Sequence, residues 1–113
     1  MCTGNVKEGG FGYTDTLDAL IVAYCRDFQR REESVKQGYC TGRTSMEYKF
    51  LNFRISEAAM EIAGERLGGI FIEEIGNRVG FAHSRIDCLS ESAYKIQKQE
   101  IKLNIARKLH LLD

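Results

Sequence analysis

The stretch Ile72–Leu89, IEEIGNRVGFAHSRIDCL, decides how this 113-residue chain is read. Its apolar and glycine positions fit a helix-turn-helix: two short helices at a steep angle, a small residue where they cross and a glycine in the turn. Ile75 and Val79 face inward from the first helix, and Gly76 is the small residue on it. Gly80 falls where the turn calls for a residue tolerant of positive φ. Ile86 and Leu89 then close the core from the second helix. The exposed positions of that second arm are Ala82, His83, Ser84, Arg85 and Asp87. Arg85 can form a bidentate bond with guanine, Ser84 and His83 can reach phosphates or base edges, and Arg78 approaches the DNA backbone from the first arm.

A second register competes with the first. In it the reading helix begins after Ser90, so that Glu91, Ser92, Tyr94, Lys95 and Lys98 approach the duplex. Lys95, Lys98 and Lys102 share one helix face at spacings of three and four, a pattern that also describes an ordinary solvated face. The run LSESAYKIQKQEIKLNIARKLHLL, within the C-terminal third of the chain, resembles the C-terminal end of small phage-type transcriptional regulators of the ArpU and RinA kind. The matching positions are Ser90, Glu91, Tyr94, Lys95, Lys98, Ile105, Ala106, Leu109 and Leu111. The resemblance implies a helix-turn-helix similar to the fourth region of sigma factors and a role in transcription, in a protein of phage or mobile-element origin. That family often carries two tyrosines where this chain has one, which leaves open which helix reads the DNA.

Outward from this segment the sequence predicts an all-α domain of about five helices over residues 14–113, behind a flexible, glycine-rich tail of residues 1–13. Thr14 or Asp15 caps a first helix carrying Leu17, Leu20, Ile21, Tyr24, Cys25 and Phe28 at a 3.6-residue spacing. Arg30–Glu33 form a solvated stretch before a stop at Gly38. Thr44 and Glu47 have the spacing of a capping box for a second helix with Phe50, Phe53, Ala58, Ile62 and Ala63. Gly64 weakens that helix and Gly68–Gly69 end it. The helix-turn-helix occupies about residues 70–91. Ser90 caps a last helix over about residues 91–111, lined by Tyr94, Ile101, Ile105, Leu109 and Leu112.

Composition bounds the function. Hydrophobic residues make up 43% and charged residues 28%, ordinary for a globular domain, and proline is absent, so glycine does most of the punctuation. Sixteen basic and sixteen acidic residues cancel, so the whole chain is not a polycation. From Gly76 onward seven Lys or Arg meet four acids, a modest local excess in the direction DNA binding needs. Four cysteines (2, 25, 40 and 88) and two histidines lack the close pairs of a zinc site, so no metal or other cofactor is expected. Cys25 and Cys88 read as small core residues of a cytoplasmic protein with free thiols. No apolar run is long enough for a bilayer. Glu73 and Glu74 diverge by about 100° on a helix and read as surface charge, and His83 and Cys88 share no helix face, so no catalytic site is expected.

These features favour a sequence-specific DNA-binding protein acting in transcription. One such unit makes few contacts, so a homodimer is expected. The rival is a helical protein–protein interaction module, a homo-oligomer or adaptor without DNA contact. Its support is the neutral charge and a surplus of aromatics, Tyr48, Phe50 and Phe53, sufficient to build a dimer seam.

Overall fold

Residues 12–112, which the computed structural model describes, form helices α1 (Asp15–Arg26), α2 (Phe28–Lys36), α3 (Gly42–Gly76) and α4 (Glu91–Lys108), with one 3-10 turn at Phe81–His83. No strand occurs among the described residues, so the chain is all-α as expected. Only Asp27 separates α1 from α2, which makes three helical runs rather than about five helices. Residues 1–11 of the expected tail lie outside the described residues.

The first run starts as its sequence requires. The Thr14 hydroxyl accepts the Leu17 N–H at 3.1 Å, and Ile21, Val22 and Cys25 turn inward. The run ends at Gly38, where the Tyr39 N–H reaches back to the Ser34 carbonyl at 2.9 Å. The stretch around Arg31 is not all solvated, because Arg31 is buried and donates to Asn52 Oδ1 at 2.7 Å and to the Tyr24 carbonyl at 2.5 Å. Asn52, also buried, in turn donates to the Phe28 carbonyl at 3.0 Å. This paired polar contact ties the first run to α3.

Helix α3 departs most from expectation. It begins at Gly42, so Thr44 lies inside it and forms no capping box; Glu47 pairs instead with Arg43 at 3.1 Å. Nor does it stop at Gly68–Gly69. The break falls at Gly64, whose φ of 83° and ψ of 171° only glycine adopts without strain. The bend is sharp: a Cβ on Gly68 would lie 3.1 Å from the Ala59 carbonyl carbon, nine residues back along the same run. Gly68 therefore lets the two halves of α3 cross closely instead of ending a helix.

The second half of α3 lies against the end of α1. A Cβ on Gly76 would meet the Arg26 nitrogen at 2.6 Å and the Cys25 carbonyl carbon at 2.8 Å, so only glycine fits. Gly76 is thus a crossing residue, but its partner is α1 and not a second arm of a helix-turn-helix. Ile21, Ile55, Phe71, Ile75, Tyr94, Ile101 and Ile105 form the centre of the core, each large side chain stabilising by about 2–3 kcal/mol. The molecule measures 43 × 35 × 21 Å, two helix layers in its thinnest direction.

Candidate functional site

The segment 77–90 is a loop rather than a turn and a second arm. Asn77 ends α3, and Arg78, not Gly80, takes the left-handed backbone, with φ of 54°; Gly80 has φ of −91°. The Arg78 N–H bonds to Ile75 O at 3.2 Å and the Val79 N–H to Glu74 O at 2.9 Å, which closes the helix end. Beyond the 3-10 turn the backbone of Ser84 is extended, so Ser84–Leu89 form no α-helix. Ile86 is buried as expected, but Cys88 is exposed.

One buried carboxylate organises this loop. Glu74 accepts from the Ser84 hydroxyl at 2.6 Å, the Arg85 N–H at 2.7 Å and the Tyr94 hydroxyl at 2.9 Å. Burial pushes its carboxyl up, yet these three bonds outweigh burial and hold it below the ordinary glutamate range. Burial, and then the bond to Glu74, push the Tyr94 phenol up to about 12. The Tyr94 ring is fully buried against Phe71 and Phe81, with centroids 5.3 and 5.6 Å away. Glu74 lies three positions after Phe71, on the inner face. That spacing was the signal available in the sequence, where it read as surface charge.

The residues expected to meet DNA divide accordingly. Tyr94 is a core residue and reaches no duplex. Ser84 has its hydroxyl turned inward, donating to Glu74 and accepting the Ile86 N–H at 2.9 Å. Arg85 is exposed and bonds Glu73 at 2.5 Å; Lys95 bonds Glu91 at 2.8 Å. Lys98 ties α4 to the loop by donating to the Val79 carbonyl at 2.5 Å, and burial, with Lys102 nearby, lowers its pKa. Arg78 lies 3.9 Å from Asp18, which Lys102 also contacts at 3.0 Å. His83 is exposed at the end of the 3-10 turn. Ser90 does begin a helix, its hydroxyl accepting the Ala93 N–H at 3.1 Å. Arg78, Arg85 and Lys95 thus each lie beside an acid.

A different surface is left uncovered among the described residues. In the first half of α3, Asn52, Ile55, Ala58 and Ala59 face the core, while Met46, Phe50, Phe53 and Met60 line the opposite side, 70%, 56%, 61% and 40% exposed. Phe50 and Phe53 are therefore not core residues. The spacing of 46, 50, 53 and 60 keeps these side chains within one narrow arc. Among the described residues, the Arg54 guanidinium lies over one of the rings, 5.2 Å from the Phe50 centroid. A helix that is apolar on two opposite faces is ordinarily covered on both.

A cleft of about 510 Å³ between α1, α2 and α3 holds Arg26, Ser56, Glu73 and Asn77 on its walls, but Arg26 already donates to the Gly76 carbonyl at 3.0 Å. Among the described residues no group of three or more His, Cys, Asp or Glu side chains is placed to hold a metal, and no helix is long and apolar enough to cross a membrane. Compared with family models, curated proteins and solved structures, the chain matches none.

Proposed function

We propose that this protein is a helical protein–protein interaction module that docks through the outer face of α3. The observation that carries it is the exposed row Met46, Phe50 and Phe53, opposite a face of the same helix that is already buried. Aromatic and methionine side chains grouped on a helix supply the desolvation energy of an interface core. A photo-crosslinking residue placed at Phe50 in cells is expected to capture protein, whereas the same residue at the exposed Gln99 of α4 captures little. Equal capture at the two positions overturns the reading.

DNA binding is the second reading, favoured by one observation: Ser90 caps α4, which carries the exposed Lys95, and Arg78 and Arg85 are exposed on the loop before it. Electrostatics weigh against it. Arg78, Arg85, Lys95, Lys98 and Lys102 share their surroundings with Asp18, Glu73, Glu74, Asp87 and Glu91, which leaves little net charge to displace counterions from a duplex. On this reading, fluorescence anisotropy with a mixed-sequence duplex shows binding that weakens steeply as salt rises, and Arg85→Ala weakens it further. Absence of binding at low salt removes this reading.

A further inference from the structure

Resting on the reading of α3 as a docking surface, we infer that its occupant is a second copy of this chain, with the two α3 helices antiparallel about an axis at Phe53. Positions 46, 50, 53, 57 and 60 follow alternating steps of four and three, the repeat by which two helices keep one seam in contact. An antiparallel pair centred on Phe53 sets Met46 against the partner's Met60 and Phe53 against the partner's Phe53. A surface that complements itself in this way suits a two-fold dimer.

Charge selects the orientation. Lys49 makes no ion pair among the described residues, and in the antiparallel pair it comes opposite the partner's Glu57. Glu57 already meets Arg54 at 3.0 Å and Lys108 at 3.5 Å, and a carboxylate has lone pairs for a further donor. A parallel pair instead sets Lys49 against Lys49 and Glu57 against Glu57.

Size supports the same occupant. From 46 to 60 the seam is about 21 Å long. Its four exposed side chains offer roughly 450 Å² per copy, and with the flanking charged stems the pair buries about 1,200 Å², at the lower end of specific interfaces. An interface of this size is expected to associate weakly, in the micromolar range.

The test uses the purified full chain in reducing buffer. Sedimentation velocity is expected to show a monomer–dimer equilibrium that Phe53→Asp weakens roughly 30-fold or more, with the unfolding free energy unchanged. Orientation is read in a background of Cys2→Ser, Cys40→Ser and Cys88→Ser, Cys25 being buried. On oxidation, Met46→Cys mixed with Met60→Cys is expected to give more disulfide-linked dimer than either alone. A wild type that stays monomeric through the high micromolar range, or a dimer that Phe53→Asp leaves intact, overturns the self-pairing. Faster linkage of Met46→Cys alone overturns the antiparallel arrangement. A monomeric chain that is still captured from Phe50 in cells leaves the docking face standing with another occupant; no capture there ends both.

Discussion

Around Glu74, donors from the 77–90 loop and from α4 close on one buried carboxylate; along the outside of α3, two phenylalanines and a methionine reach solvent with one arginine laid over one ring. The first region has its polar groups matched inside the protein. The second has apolar groups that nothing among the described residues covers. Breaking any one exposed ion pair near α4 costs under about 1 kcal/mol, so pairing alone does not bar a ligand. The near-zero local charge matters more, because a polyanion gains from net charge and not from the number of lysines. Desolvating Phe50 and Phe53, by contrast, is favourable with any apolar partner.

The contrast can be broken at several points. The largest effect is expected from Gly76→Ala at the edge of the Glu74 region, where the new Cβ overlaps the α1 backbone: a loss of about 3 kcal/mol or more in urea unfolding. Gly69→Ala, with nothing within 4 Å of its Cβ, is expected to hold or slightly raise stability. Similar midpoints for the two variants would falsify the close α1–α3 approach.

Glu74→Ala is expected to cost about 2–3 kcal/mol by leaving buried donors short of an acceptor. The same carboxylate gives a pH signature. Because its folded pKa is lowered, its contribution is complete above the unfolded value of about 4.3 and fades as pH falls through the folded value. Glu74→Gln should therefore lower stability at neutral pH and make the acid-unfolding curve shallower. Asp18, held low against its burial by Lys102 and Tyr13, keeps a residual slope. An unchanged slope in Glu74→Gln argues that the carboxylate is not held as described.

Smaller effects sharpen the comparison. Arg78→Gly removes a side chain from a left-handed backbone and is expected to gain about 0.5–1 kcal/mol in thermal unfolding. Phe50→Ser on the open face should change the unfolding of dilute monomer by less than about 0.5 kcal/mol. A loss of several kcal/mol there would mean that Phe50 is packed within the monomer.

Helix content, the Thr14 and Ser90 caps and the inward Ile75, Ile86, Ile101 and Ile105 were legible because they follow local rules of capping and period, whereas Tyr94 fitted both a core and a DNA-facing reading. The position of the bend was not. Gly64, Gly68, Gly76 and Gly80 look alike in sequence, and which one takes a positive φ and which one admits a neighbouring backbone is settled by tertiary contacts. Glu74 was misread for a related reason: a charged residue is taken as solvated unless its donors are known, and they come from 10 to 20 positions away. The surplus of aromatics on α3 was visible, but which of them faced outward was not. Phe50 and Phe53 are exposed, while Tyr48 is half-buried under Arg30.

Loss of the bend at Gly64 would open a route to assembly independent of the outer face of α3. One residue separates the folded-back α3 from a straight rod of 35 residues, about 52 Å long. In such a rod the second half of α3 and α4 swing away from their own α1 and can recover those contacts only on a neighbour, an exchange of domains between copies. Gly64→Ala, which penalises the positive φ, should therefore populate a slowly dissociating dimer in size-exclusion chromatography that persists when Phe53→Asp is added. The natural glycine keeps the two halves of one chain at home.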